Sequence, residues 1–156
     1  MNWENFATAA PELAKLALDR FKATELVMIG TLRKDGFPRI SPVEWSVWDG
    51  EFVTGGMYRS KKCLDLLRDP RCVIHSTTTN KNGEEGDVKL YGRAIPLAQE
   101  RLAPYWDYIF ATTGWRADGP AHIFTIDFES GGYLRFGDGK MRMLTWPGGT
   151  WSERPS

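Results

Sequence analysis

The sequence predicts a mainly β protein, an antiparallel barrel with helices inserted between its strands. Three observations carry the prediction. Short runs rich in Val, Ile, Thr, Phe and Trp recur along the chain, and tight-turn dipeptides such as Asp35-Gly36, Asp49-Gly50 and Asp138-Gly139 punctuate them. Helical periodicity is confined to three isolated stretches, so it does not alternate with strands as a doubly wound sheet requires. A chain of 156 residues suits one domain, expected over residues 1–146, and residues 147–156, rich in Gly, Pro and Ser, read as a frayed tail.

Taken in order, Pro11-Glu12 opens an amphipathic helix over Glu12 to Lys22, with Leu13, Leu16, Ala17 and Phe21 at helical spacing; it reads as a lid. Leu26–Leu32 is a strand, turned by Lys34-Asp35-Gly36 into a second strand that alternates through Ile40 to Trp48. Asp49-Gly50 turns that strand into Phe52-Val53-Thr54. Gly55 to Lys62 breaks the pattern, and Cys63 to Arg68 forms a short helix closed by Asp69-Pro70. Cys72–Thr78 and Asp87–Leu97 are strands flanking a polar excursion, Asn80 to Gly86. Ala98 to Thr113 carries Leu102, Trp106, Ile109 and Phe110 on one helical face, and Pro104 is tolerated only near the first turn. Three strands follow, His122–Phe128, Gly132–Phe136 and Met141–Trp146, joined at Gly131-Gly132 and Gly137-Asp138-Gly139.

Composition narrows the function. Twenty basic and twenty acidic residues give zero net charge, which argues against an obligatory nucleic-acid or acidic-membrane partner. No apolar run spans a bilayer, and residues 1–11 lack a basic stretch followed by an apolar one, so a cytoplasmic protein is expected. Cys63 and Cys72 have no second Cys or His at metal-ligand spacing; they read as reduced, buried and chemically silent, and no metal is expected. Aromatic residues at 13% fill a barrel core, stack a planar ligand or cover a subunit interface.

The informative feature is a basic loop feeding a helix. Arg59, Ser60, Lys61 and Lys62 combine positive charge, a hydroxyl and the free amides of a helix start, which is what a phosphate requires; a solvated surface is the competing reading. Neither a Walker pattern nor G-x-G-x-x-G is present. His75 and His122 lie in strands with no nucleophile coupled to them, so both read as structural or solvent-facing, and no catalytic residue is assigned. Glu84, Glu85 and Asp87 read as solvating their loop. Trp45 and Trp48 either stack a ligand ring or divide between core and surface.

The series Thr31-Leu32-Arg33-Lys34-Asp35-Gly36-Phe37-Pro38-Arg39-Ile40-Ser41-Pro42-Val43, then Trp48-Asp49-Gly50, then Ser60-Lys61-Lys62 and Leu66-Leu67-Arg68-Asp69-Pro70-Arg71, resembles the pyridoxamine 5'-phosphate oxidase-like family. The resemblance runs from about Leu13 to Arg93 and more weakly to Trp146, and is nearest to small actinobacterial-type members. It implies a flavin-binding split β-barrel, a homodimer with the cofactor in a cleft between subunits, and FMN or the deazaflavin coenzyme F-420 as cofactor. It also implies a phosphate held at Arg59, Ser60, Lys61 and Lys62, with Lys62 matching the family's lysine, and a ring lined by Arg39, Ser41, Pro42 and Val43. The longer true oxidases carry substrate residues not found here, so vitamin B6 oxidation is not implied. Hydride transfer on a small conjugated substrate is the expected activity, and a non-enzymatic flavin- or haem-binding protein of the same fold is the alternative.

Overall fold

The computed structural model describes residues 1–156. Its four helices are α1 (Trp3–Ala9), α2 (Pro11–Thr24), α3 (Lys61–Arg68) and α4 (Gln99–Thr113). Its nine strands are β1 (Val27–Leu32), β2 (Pro38–Val43), β3 (Trp45–Trp48), β4 (Glu51–Met57), β5 (Arg71–Ser76), β6 (Asp87–Pro96), β7 (Ala121–Gly137), β8 (Lys140–Trp146) and β9 (Trp151–Pro155). All pairings are antiparallel, in the order β2-β1-β5-β6-β7-β4-β3, with β8 on β7 and β9 on β8.

That order contains the closure of the barrel. Strands β2 and β3 lie at opposite ends of the path, yet only Glu44 separates them in the chain. The run read as one strand from Ile40 to Trp48 therefore changes partners at Glu44, pairing with β1 before it and with β4 after it. Thr54 Oγ1 donates to the Glu44 carbonyl at 2.7 Å, which holds the bend where regular ladder pairing changes hands. The chain itself joins the two ends of the path at this bend, while β2 keeps β1 and β3 keeps β4 as its one ladder partner.

The barrel is filled from inside by Val27, Ile29, Phe52, Ile74, Leu90, Phe124, Ile126 and Phe128. Helix α2 adds Leu13, Ala17 and Phe21 to the same core, consistent with a lid at helical spacing. Helix α1 is an element that the sequence reading missed. Asn2 caps it by accepting from the Asn5 amide at 2.9 Å, and Trp3 and Phe6, one turn apart, pack against Phe128 and Trp146. Much of the aromatic surplus is thus absorbed within one chain.

Four further expectations are corrected. Gly131-Gly132 is not a joint between two strands but the middle of β7; a Cβ at Gly131 would stand 2.6 Å from the Lys89 carbonyl oxygen, so glycine permits the close approach of β6. Residues 151–155 are not a frayed tail but a strand on β8. Glu153 bonds Lys140 Nζ at 2.6 Å and Arg142 Nε at 2.7 Å, and Trp151 Nε1 donates to Glu12 at 3.0 Å. Pro104 sits beyond the first turn of α4, and Phe110 is exposed, while Tyr105 is the buried anchor of that helix. The Asn80–Gly86 excursion is organised rather than merely solvated: Glu85 accepts from the Thr79 and Asn80 amides and pairs with Arg20 at 2.9 Å.

Candidate functional site

The first turn of α3 presents its amides without i−4 partners, as every helix start does. Ser60, in the capping position, makes no side-chain cap bond, and its Oγ is buried with no partner. Lys62 folds back over β4, so that a Cβ on Gly56 would lie 3.1 Å from Lys62 Nζ and 2.9 Å from Cys63 Sγ. Glycine at position 56 therefore leaves the space that the ammonium needs. An orphaned hydroxyl, free amides and an ammonium together match the acceptor-rich chemistry of a phosphate.

Two cavities meet at this turn. A cleft of about 770 Å³ lies between α4, β4 and the β2–β3 bend, walled by Trp45, Tyr58, Tyr105, Trp106 and Trp115, with Pro42, Val43, Met57 and Lys62 along it. Trp45 stacks on Phe52 with centroids 5.8 Å apart and rings 2° from parallel, and Trp106 meets Trp115 edge to face at 5.9 Å. Burial pushes the Tyr105 phenol up, although Ser46 bonds it at 3.3 Å, so it stays protonated. On the other side of α3, an open groove of about 580 Å³ is lined by Arg33, Lys34, Arg39, Lys61 and Arg68 with Asp35 and Asp65.

Asp65 organises the wall between them. Its buried carboxylate accepts from Arg39 Nε at 2.6 Å, Thr31 Oγ1 at 3.0 Å and Arg68 Nη1 at 3.3 Å, tying α3 to β1 and β2. Burial works against its ionisation, but the bonds from Arg39 and Thr31 outweigh that and hold it below the usual carboxylate range.

A family model described as pyridoxamine 5'-phosphate oxidase matches residues 13–135. The chain belongs to that family. Its fold is the family's split barrel, and solved structures agree. PhzG from Burkholderia lata, in complex with tetrahydrophenazine-1-carboxylic acid, gives a TM-score of 0.64 at 12% identity, covering 99% of this chain and 92% of that one. A protein related to general stress protein 26, of the pyridoxinephosphate oxidase family, from Clostridium acetobutylicum gives 0.64 at 16% identity over 88% and 94%. A haem-binding protein from Mycobacterium smegmatis gives 0.59 at 18% identity over 93% and 58%. At such identities the likeness speaks for the fold alone. Among curated proteins none matches the chain in sequence.

Within this split-barrel family member, the residues singled out from sequence separate. Lys62, Pro42 and Val43 line the cleft; Lys61 and Arg39 line the groove; Ser60 stands at the junction. Arg59, exposed at φ 59°, and Ser41 line neither cavity. His122 stacks under Tyr58 with its Nε2 buried and unpartnered, and His75 stands 3.5 Å from Asp87 on the barrel exterior. No three His, Cys, Asp or Glu side chains lie close enough together to hold a metal ion. Sequence reasoning missed Tyr58, Tyr105, Trp106 and Trp115 as cleft walls and Asp65 as the organising acid. Tyr105 at helical spacing from Leu102 and Ile109 was a usable signal; the Asp65–Arg39 pairing, 26 residues apart, had none.

Proposed function

We propose that the chain binds a phosphorylated flavin in the aromatic cleft and serves as an oxidoreductase on a small conjugated substrate. One observation carries this reading: the apolar cleft runs directly to the α3 start, where the Ser60 hydroxyl is unpartnered and the Lys62 ammonium lies over Gly56. The cleft volume falls in the range of about 300–1,000 Å³ usual for cofactor sites. The flavin itself supplies the hydride chemistry. The chain's contribution is to hold the phosphate at Ser60 and Lys62, to wall the ring with Trp45, Trp106 and Trp115 and keep water from it, and to line one end with the protonated Tyr105 phenol.

Haem fits less well, because neither a histidine nor a cysteine lines the cleft. Between the two flavins, FMN ends at its phosphate, whereas the deazaflavin coenzyme F-420 continues past it as an acidic chain. The basic groove beside Lys61 favours F-420 as the second reading. Titrating the apoprotein with FMN, riboflavin and F-420 while following ring fluorescence tests both. Tight binding of a phosphorylated flavin is expected, and affinity for none of the three would leave only the fold.

A homodimer belongs to the same proposal. The outer face of β2, β1, β5 and β6 carries no helix and presents the row Ile40, Gly30, Val73 and Tyr91, with Pro42 and Met28 beside it. Ile40 is 69% exposed and Tyr91 49%, an apolar strip suited to a second copy. Light scattering is expected to give twice 17.7 kDa, and Ile40→Glu to give the monomer. A monomeric parent chain with flavin bound would defeat it.

A further inference from the structure

The charges around the cleft say something about its substrate that the aromatic walls alone do not. Lys62 is the one cation lining it, and three carboxylates, Glu25, Glu44 and Asp118, line it as well. None of the three makes a salt bridge or a side-chain hydrogen bond. Glu44 stands at the bend between β2 and β3 and lines the same cleft as Trp45 and Tyr105. Asp118 follows Trp115 on the segment after α4, and Glu25 follows α2; three separate parts of the chain thus bring uncompensated negative charge to one aromatic opening.

On the flavin reading, the cofactor phosphate neutralises Lys62. What this chain brings to the remaining cleft is then aromatic faces and three unpaired carboxylates, with no further cation. An anionic substrate would enter against like charge with nothing to pair it, whereas a cation would gain both the carboxylates and the faces of Trp106, Trp115 and Tyr58. We infer that the substrate of this cleft is a planar molecule that is cationic or bears an amine, and that carboxylated or phosphorylated analogues are rejected. This rests on the cofactor reading for the role of Lys62, but the selectivity itself comes from the carboxylates.

The FMN-loaded protein provides the test, with two bicyclic probes of similar size and opposite charge, N-methylquinolinium and 2-naphthoate, followed by tryptophan fluorescence and calorimetry. N-methylquinolinium is expected to bind at least about tenfold tighter, with a preference that shrinks as salt is raised. In the double variant Glu44→Gln, Asp118→Asn the preference is expected to fall to about threefold or less. Both positions are exposed, and an unchanged melting midpoint verifies the fold. Equal or tighter binding of 2-naphthoate, a preference untouched by the double variant, or failure of the cation to bind would each overturn the inference. The two readings fail separately. A protein that takes no flavin but still prefers the cation loses the cofactor and keeps the cleft's polarity; one that takes FMN and prefers the naphthoate does the reverse.

Discussion

The cleft and the groove share one helical turn and differ in nearly everything else. Helix α3 sends Lys62 to one side and Lys61 to the other. On the Lys62 side, 12 of 22 lining residues are hydrophobic and the fixed charge is one cation against three carboxylates; on the Lys61 side, one of eight is hydrophobic and five cations face two carboxylates. An apolar wall strengthens the polar contacts made against it, because less water competes there; an open basic groove offers long-range attraction that salt weakens. Adjacent lysines can therefore have different work, one gripping a phosphate beside a ring and the other attracting whatever negative charge extends beyond it.

The largest expected effect comes from removing the partition between the two regions. Asp65→Ala leaves Arg39 and Arg68 without their buried acceptor and detaches α3 from β1 and β2, at a cost of about 3 kcal/mol in urea unfolding. Because the folded carboxyl ionises below its ordinary range, the stability it contributes is full above the usual Asp range and is lost as pH falls through the lowered value. The variant is expected to lose that part of the acid sensitivity; an unchanged acid limb would show that Asp65 does not anchor the helix.

Next in size, Lys62→Ala is expected to weaken FMN binding by roughly 10- to 150-fold, the loss of one charge-assisted contact of about 1.5–3 kcal/mol, while riboflavin binding stays nearly unchanged. Equal losses for both ligands would mean that the α3 start holds no phosphate. Lys61→Ala sharpens the contrast: FMN affinity should drop by about threefold or less, F-420 affinity by clearly more, and the difference should narrow in high salt. If both lysines mattered equally for FMN, the two cavities would be one site.

The smallest effect concerns the thiols, which neither cavity employs. Burial pushes the Cys72 thiol up to about 12, with the charge of Glu129 adding to it, so almost no thiolate exists at neutral pH. Cys63 is buried beneath the α3 start. Iodoacetamide is expected to modify neither in the folded protein and both after unfolding, as mass spectrometry would read out. Rapid labelling of the native protein would reopen a role for them.

Much of this was legible in the sequence, and the reasons are local. Period-two alternation, Asp-Gly turns and the basic loop before Cys63 depend on neighbours within a few residues, so the barrel class, α2, α3 and the candidate phosphate turn could be read from them. The resemblance carried by residues 31–43 and 60–71 added the family. Tertiary contacts decided the rest. Whether the run through Glu44 was one strand or two depended on partners that the run itself does not encode, β1 on one side and β4 on the other. The pairing of Glu153 with Lys140 and Arg142 drew the terminal segment onto the sheet. Above all, the division of Lys61 from Lys62 followed from how α3 is rotated, and that rotation is set by Cys63 and Leu66 in the core and Asp65 against Arg39. Such contacts join residues distant in the chain, and only the folded packing brings them within reach.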